Sequence, residues 1–294
     1  MIKALIKLMR LPNDLMIGSA VIIGEIIACG SFKIPLISSV FGFLTGFLIA
    51  SSIMVFNDIF DLEIDRINNP NRPLPKGELS IKSAVIFGCL LFILGIISAF
   101  LTSIYHLLIA VVFWFLGIMY NYKLKKLGLI GNIIVSASVA IPFIYGYMII
   151  TPYLSLLIVV FALAAFLSNL SREVLKGIID LKGDSLKNIK TVARVYGIKK
   201  AYFTSVSLII LSVAIALTPL IPPLYDVMHL RNILGYGICV FVSSAIFITA
   251  LLYPFFGFYR GNPPSRELLI KIKNIMLIAM SIGMIGFLLG SISM

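Results

Sequence analysis

Nine apolar runs, each about the 20 residues that a helix needs to cross a bilayer, leave this chain little choice of fold. They cover Asp14 to Gly30, Pro35 to Phe56, Ile81 to Leu101, Ile104 to Tyr120, Leu129 to Ile150, Tyr153 to Leu170, Ala201 to Leu220, Ile233 to Tyr253 and Leu268 to Ser291. Inside hydrocarbon every backbone N–H and C=O must be paired within the protein, which only helices and closed barrels achieve. Runs that are apolar throughout, rather than at alternate residues, select helices. With 60% of residues apolar and 12% charged, the expected fold is an all-α integral membrane protein with nine transmembrane helices in one bundle. The segment Met1 to Leu11 carries Lys3, Lys7 and Arg10 beside apolar residues and is predicted to lie on the bilayer surface. No A-x-A-like cleavage site follows the first run, so no removed signal peptide is expected.

The cations set the orientation. Of 24 Lys and Arg, 22 fall in the N-terminal segment and in the second, fourth, sixth and eighth connections, leaving Lys33 and Arg231 on the other side. The positive-inside rule then puts the N-terminus in the cytoplasm of a multi-pass protein of the cell membrane. Topology accounts for most of the net charge of +12, and no nucleic-acid partner is expected. The three cysteines lie inside apolar runs at no metal-ligand spacing and read as small buried hydrophobes.

The acids are placed against this background at unusual cost. In SSIMVFNDIFDLEIDRINNPNRPLPKGELS, residues 51–80, Asp58, Asp61 and Asp65 stand at i, i+3 and i+7, one stripe of a continuous helix, with Asn57 one turn before Asp61. Glu63 falls on the opposite side and reads as a solvated charge. Like charges on one face repel unless a cation lies between them, and carboxylate with amide oxygen is a hard donor set suited to Mg²⁺. The bland alternative is the acidic end of an amphipathic helix at a membrane surface. A second cluster, Asp180 and Asp184 at i and i+4, ends the sixth run, and Asn169, Arg172 and Lys176 continue its stripe. Carboxylates preceded by cations suit phosphate with metal, because Mg²⁺ binds through one or two carboxylates plus substrate phosphates. Both clusters fall on the cytoplasmic side and can share a site.

Other residues divide between topology and chemistry. The proline-rich NNPNRPLPKG, residues 68–77, reads as a stiff loop holding Arg72. Lys123, Lys125 and Lys126 after the fourth run suit phosphate, although topology alone asks for cations there. Glu25 lies about 16 Å along the first helix from Asp14, inside or near hydrocarbon, and is left out of the site. His106 and His229 fall on the outer side, and neither is expected to be catalytic.

NDIFDLEID followed by NRPLPKG, then DLKGD in the sixth connection, resembles the UbiA family of intramembrane prenyltransferases, whose motifs are NDxxDxxxD and DxxxD. LPN at residues 11–13, the segment Tyr120 to Lys126 with Gly131 and Asn132, and the nine-helix layout are also similar, so the likeness spans the chain. Gly177 departs from it, since many members carry an acid there. The resemblance implies one prenyltransferase domain over 1–294, with helices around a central cavity and motif-bearing cytoplasmic segments at 57–80 and 169–200. It implies Asn57, Asp58, Asp61, Asp65, Asp180 and Asp184 as Mg²⁺ ligands, with Asp61, Asp65, Asp180 and Asp184 as the catalytic acids. Asn13, Arg72, Tyr120, Lys123, Lys125, Arg172 and Lys176 would bind substrate, and Phe56 or Tyr120 would face an allylic cation. The implied donor is an isoprenyl diphosphate, with geranylgeranyl diphosphate expected. Length, the NRPLPKG form and a composition without Gln most resemble the archaeal branch whose acceptor is geranylgeranylglyceryl phosphate, a lipid-like phosphate. Aromatic acceptors such as hydroxybenzoate, homogentisate or naphthoate are the alternative. A cation transporter fits less well, because the carboxylates gather at one face and no repeat is apparent. A CDP-alcohol phosphotransferase would need DGxxAR, which the chain lacks.

Overall fold

The computed structural model describes residues 2–181, 189–259 and 263–292, and among them there is no strand. Nine of its helices are long and apolar enough to cross a membrane. These are α2 (Leu11–Cys29), α3 (Leu36–Phe60), α5 (Ile81–Thr102), α6 (Ile104–Tyr122), α7 (Leu129–Ile150), α8 (Leu156–Ile179), α10 (Ile198–Leu217), α12 (Ile233–Tyr259) and α13 (Arg266–Ser291). Shorter helices are α1 (Ile2–Leu8), α4 (Leu62–Asn68), α9 (Val192–Tyr196) and α11 (Leu224–Val227). Serine or threonine caps start several of them: Ser80, Ser103, Ser155, Thr191 and Ser265 each accept a bond from the N–H three residues on.

Two expectations change at the acidic stretches. The sixth span does not stop at Leu170 but runs to Ile179, so residues 169–179 belong to the helix rather than to a connection. The reason is packing: Leu170, Val174, Leu175, Ile178 and Ile179 keep an apolar face buried through the charged stretch. The helix through the first acidic stretch is also not continuous. It ends at Phe60, Asp61 takes φ −93° and ψ 5°, and α4 starts at Leu62. Because Asp61 N–H still reaches Asn57 O and Asp65 N–H reaches Asp61 O, the break is slight.

The chain forms two compact units. The first comprises Met1–Glu25, Ile34–Leu124 and Pro142–Pro152. Its core packs α3 against α5 and α6, and α1 inserts Ala4 and Leu8 beside Val55, Leu62, Leu74, Leu79 and Leu91. Small residues let backbones approach: a Cβ on Gly146 would lie 1.8 Å from Val21 O, and one on Gly24 would lie 2.1 Å from Phe143 O. Phe56 lies against Gly88 and edge-on to Trp114, whose indole donates to Ser52. Within this unit Glu25 is fully buried and accepts from Ser39, and His106 is buried beside Tyr145.

The second unit comprises Ile26–Lys33, Lys125–Ile141 and Tyr153–Met294. It surrounds α8 with α10 and α13, and α12 packs on α13. The core gathers Val174, Leu175, Tyr202, Phe247, Leu251 and Met276, and Ser171 pairs with Ser205 between α8 and α10. Gly128, at φ +60°, lies close to the chain before α9, where a Cβ would stand 1.8 Å from Lys190 O and Lys190 N–H donates to Lys126 O at 3.0 Å.

Gly146→Ala should force α2 and α7 apart in the first unit and cost about 1–3 kcal/mol. A lowered Tm in detergent checks this, and an unchanged Tm would mean that the close approach is not needed.

Candidate active site

The first unit gathers much of the first motif at the end of α3. Asp58 and Asp65 are each buried to 5% side-chain exposure, where an unpaired carboxylate would cost several kcal/mol. Arg72 answers both charges: its Nη1 donates to Asp65 Oδ2 and, at 3.3 Å, to Asp58 Oδ1. The turn-rich loop over 69–80 carries it back, with Arg72 N–H bonded to Asn69 O and Leu74 and Leu79 buried beneath. A second guanidinium enters from the junction of α1 and α2. Arg10 Nη2 donates to Asp58 Oδ1 at 2.7 Å and to Asn57 Oδ1 at 3.1 Å.

Asn57 is oriented from behind. Its Nδ2 donates to Asn121 Oδ1 at 2.8 Å, and the buried Asn121 donates in turn to Ile53 O at 3.1 Å. The amide oxygen is thereby left for Arg10. Asp61 is half-buried at the α3–α4 junction, and Glu63 is exposed. Deeper along α3, Ser51 donates to Asp14 Oδ2 at 2.7 Å, and Asp14 Oδ1 is buried without a partner among the described residues.

Among the described residues no three His, Cys, Asp or Glu side chains converge as a ready metal cage. In the first unit guanidinium groups lie on the oxygens of Asn57, Asp58 and Asp65. The donor set nevertheless fits Mg²⁺, since it is a buried pair of carboxylates with an amide oxygen, already arranged around positive charge.

The second unit carries the other candidates on and after α8. Arg172 and Lys176 both contact Glu173, at 3.3 Å each. Glu173 is 8% exposed in its side chain and is shared by both cations, which leaves the trio with one positive charge in excess. Arg172 Nε is buried without a partner. Asn169 is buried and donates to Ser136 on α7 at 3.3 Å. Asp180 caps the end of α8, half-exposed, with its N–H on Lys176 O. Asp184 lies outside the described residues.

The remaining candidates lie elsewhere along the chain. Asn13 is exposed in the first turn of α2, Tyr120 is half-buried near the end of α6, Lys123 is exposed at its C-terminus, and Lys125 is half-buried in the following turn. Sequence reasoning missed Arg10, Asp14, Asn121 and Glu173. A signal existed for three of them: Arg10 precedes LPN, and Asn121 is the one amide in YNYKLKK. Glu173 lies between the two cations, next to Arg172 and three residues before Lys176.

A family model described as the UbiA prenyltransferase family matches residues 18–275. The digeranylgeranylglyceryl phosphate synthase of Archaeoglobus fulgidus is 33% identical over 291 residues, covering 99% of this chain and 96% of that protein. A structure described as giving structural and mechanistic insights into the biosynthesis of digeranylgeranylglyceryl phosphate synthase in membranes superposes with a TM-score of 0.81. It is 30% identical and covers 99% of this chain and 98% of its own. A UbiA homolog from Archaeoglobus fulgidus, bound to DMAPP and Mg²⁺, has a TM-score of 0.66 at 17% identity, covering 95% of this chain and 97% of its own. That last likeness concerns the fold.

Asp61→Ala and Asp180→Ala should each lower kcat/KM by about a hundredfold or more, while Glu63→Ala should change it by no more than about twofold. Turnover by detergent-purified protein of unchanged Tm is the measurement, and equal losses from all three would favour a structural role for the stretch.

Proposed function

As the chain belongs to the UbiA prenyltransferase family, we propose that it transfers a geranylgeranyl group from its diphosphate to the free hydroxyl of geranylgeranylglyceryl phosphate. The product is an ether of archaeal membrane lipid. The observation that carries this reading is the gathering of Asn57, Asp58 and Asp65 on two guanidinium groups at the end of a membrane span. Buried acids matched to cations at that depth suit a metal-bridged diphosphate better than they suit a solvated surface. The relatives named for this synthase, aligned over nearly the whole chain, support the acceptor.

The chain acts as one domain over 1–294, with the N-terminus and both motif segments, 57–80 and 169–200, facing the cytoplasm. The cation asymmetry supports that orientation. Asn57, Asp58, Asp61 and Asp65 would hold one Mg²⁺, and Asp180 and Asp184 another. When bound, the metal neutralises charge developing on the departing diphosphate. Arg72, Lys123, Lys125 and Lys176 donate to the phosphate oxygens, and Asn13 adds an amide at the mouth of the site. The allylic C–O bond breaks, the acceptor hydroxyl oxygen bonds to the same carbon, and its proton leaves with the diphosphate.

The allylic centre carries positive charge as it reacts. Tyr120 offers a ring face to that charge, whereas the packing of Phe56 between Gly88 and Trp114 makes it a wall. Such an electrophile needs no strong base, which suits the placement of His106 and His229 outside the proposed site. Arg172 and Lys176 take the acceptor phosphate in exchange for Glu173, and the unsatisfied Arg172 Nε is one donor left for it.

Two experiments test this reading. Activity should require Mg²⁺ or Mn²⁺ and vanish with EDTA; turnover in metal-free buffer would end the two-motif site. In a panel of prenyl diphosphates and acceptors read by mass spectrometry, geranylgeranylglyceryl phosphate should be prenylated, and its phosphate-free analogue should show chiefly a raised KM. Turnover of 4-hydroxybenzoate without that of the glycerol phosphate would assign the protein to aromatic acceptors.

A further inference from the structure

Arg10 and Arg72 both bond Asp58 Oδ1, but their holds differ. Arg72 bridges two buried carboxylates, Asp58 and Asp65. Arg10 holds one carboxylate and one neutral amide, and each guanidinium uses a single nitrogen. Charge-assisted bonds to two anions are the stronger set, so Arg10 is the guanidinium more readily displaced. The two side chains are equally exposed, at 31% and 32%, so the difference lies in their partners, and both oxygens that Arg10 holds belong to the first motif.

The backbone beneath Arg10 is fixed. The residue takes φ +50°, a left-handed conformation that a non-glycine residue adopts at a cost. Its carbonyl accepts from Asn13 and Asp14 N–H, and Leu8, two residues before it, is fully buried. Release of Asn57 and Asp58 is therefore a side-chain movement rather than an unfolding of α1.

We propose that Arg10 is the resident cation of the first motif, occupying the ligand oxygens of the free enzyme and yielding them when a diphosphate arrives, so that metal enters with diphosphate rather than before it. This rests on reading Asn57 and Asp58 as metal ligands. A divalent ion alone must compete with a guanidinium already bonded to both oxygens. A diphosphate offers that guanidinium a planar pair of anionic oxygens in return, a geometry arginine matches with two parallel bonds. Arg10 thus couples the two ligands: each favours the other because both act on the same side chain.

The test is Mn²⁺ binding to the detergent-purified full-length protein, followed by electron paramagnetic resonance, with and without inorganic pyrophosphate. Without pyrophosphate, Arg10→Met should bind Mn²⁺ about tenfold more tightly than the native protein, which is the loss of one charge-assisted competitor. Arg10→Lys should fall between them, since an ammonium keeps the charge without the planar fork. Should the methionine variant fail to fold, the native-to-lysine comparison still carries the test. Pyrophosphate should tighten Mn²⁺ binding more in the native protein than in either variant. Equal or weaker Mn²⁺ binding by both variants would overturn the inference. Adding Asp58→Asn to the lysine variant should abolish the tight binding. If Mn²⁺ binding survived that change, the ligand assignment itself would fail, and the inference with it.

Discussion

Burying two carboxylates at the end of an apolar span is the constraint on which the rest of the first unit depends. An unpaired charge there costs more than one helix can recover from packing, so cations must be brought to Asp58 and Asp65 from elsewhere in the chain. The loop over 69–80 exists in the form it does because Arg72 must turn back onto residues seven and fourteen positions earlier. The surface helix α1 is docked for a related reason, since Leu8 anchors the segment that delivers Arg10. Local conformation, a proline-rich loop and an amphipathic helix, is thereby tied to the electrostatics of one site.

The second unit meets the same problem with a shorter-range answer. Arg172 and Lys176 share the carboxylate of Glu173 within a single helix, and the apolar face of α8 continues past them to Ile179. A charged triad on the polar side and leucine or isoleucine on the other let the helix extend beyond the point where hydropathy alone would end it. The three partners lie within one turn of each other, whereas the partners of the first unit come from distant parts of the chain.

Much of this was legible in the sequence, for identifiable reasons. Hydropathy gave the nine spans because backbone hydrogen bonding in hydrocarbon permits so little else. Helical spacing separated Glu63 from Asp58 and Asp65, because a break as slight as the one at Asp61 barely alters the wheel. What spacing could not show was pairing. Arg10 lies 48 residues from Asp58, and Asn121 lies 64 from Asn57; nothing periodic connects them. The end of α8 lies beyond the expected one because a stretch containing Arg, Glu and Lys reads as a connection until the three are seen to pair along one helix.

The line of amides behind the first motif has a direction. Ile53 offers only a carbonyl, so Asn121 must turn its nitrogen to it and its oxygen to Asn57. Asn57 must then give its nitrogen to Asn121 and keep its oxygen outward. A main-chain group four residues upstream thus decides the polarity of a side chain through an intermediary on another helix. An aspartate at position 57 would set two oxygens against each other in that relay, and a glutamine would overshoot it. The asparagine that opens the motif is explained by grammar as much as by affinity: only a group that can donate behind and accept in front completes the sentence begun at Ile53.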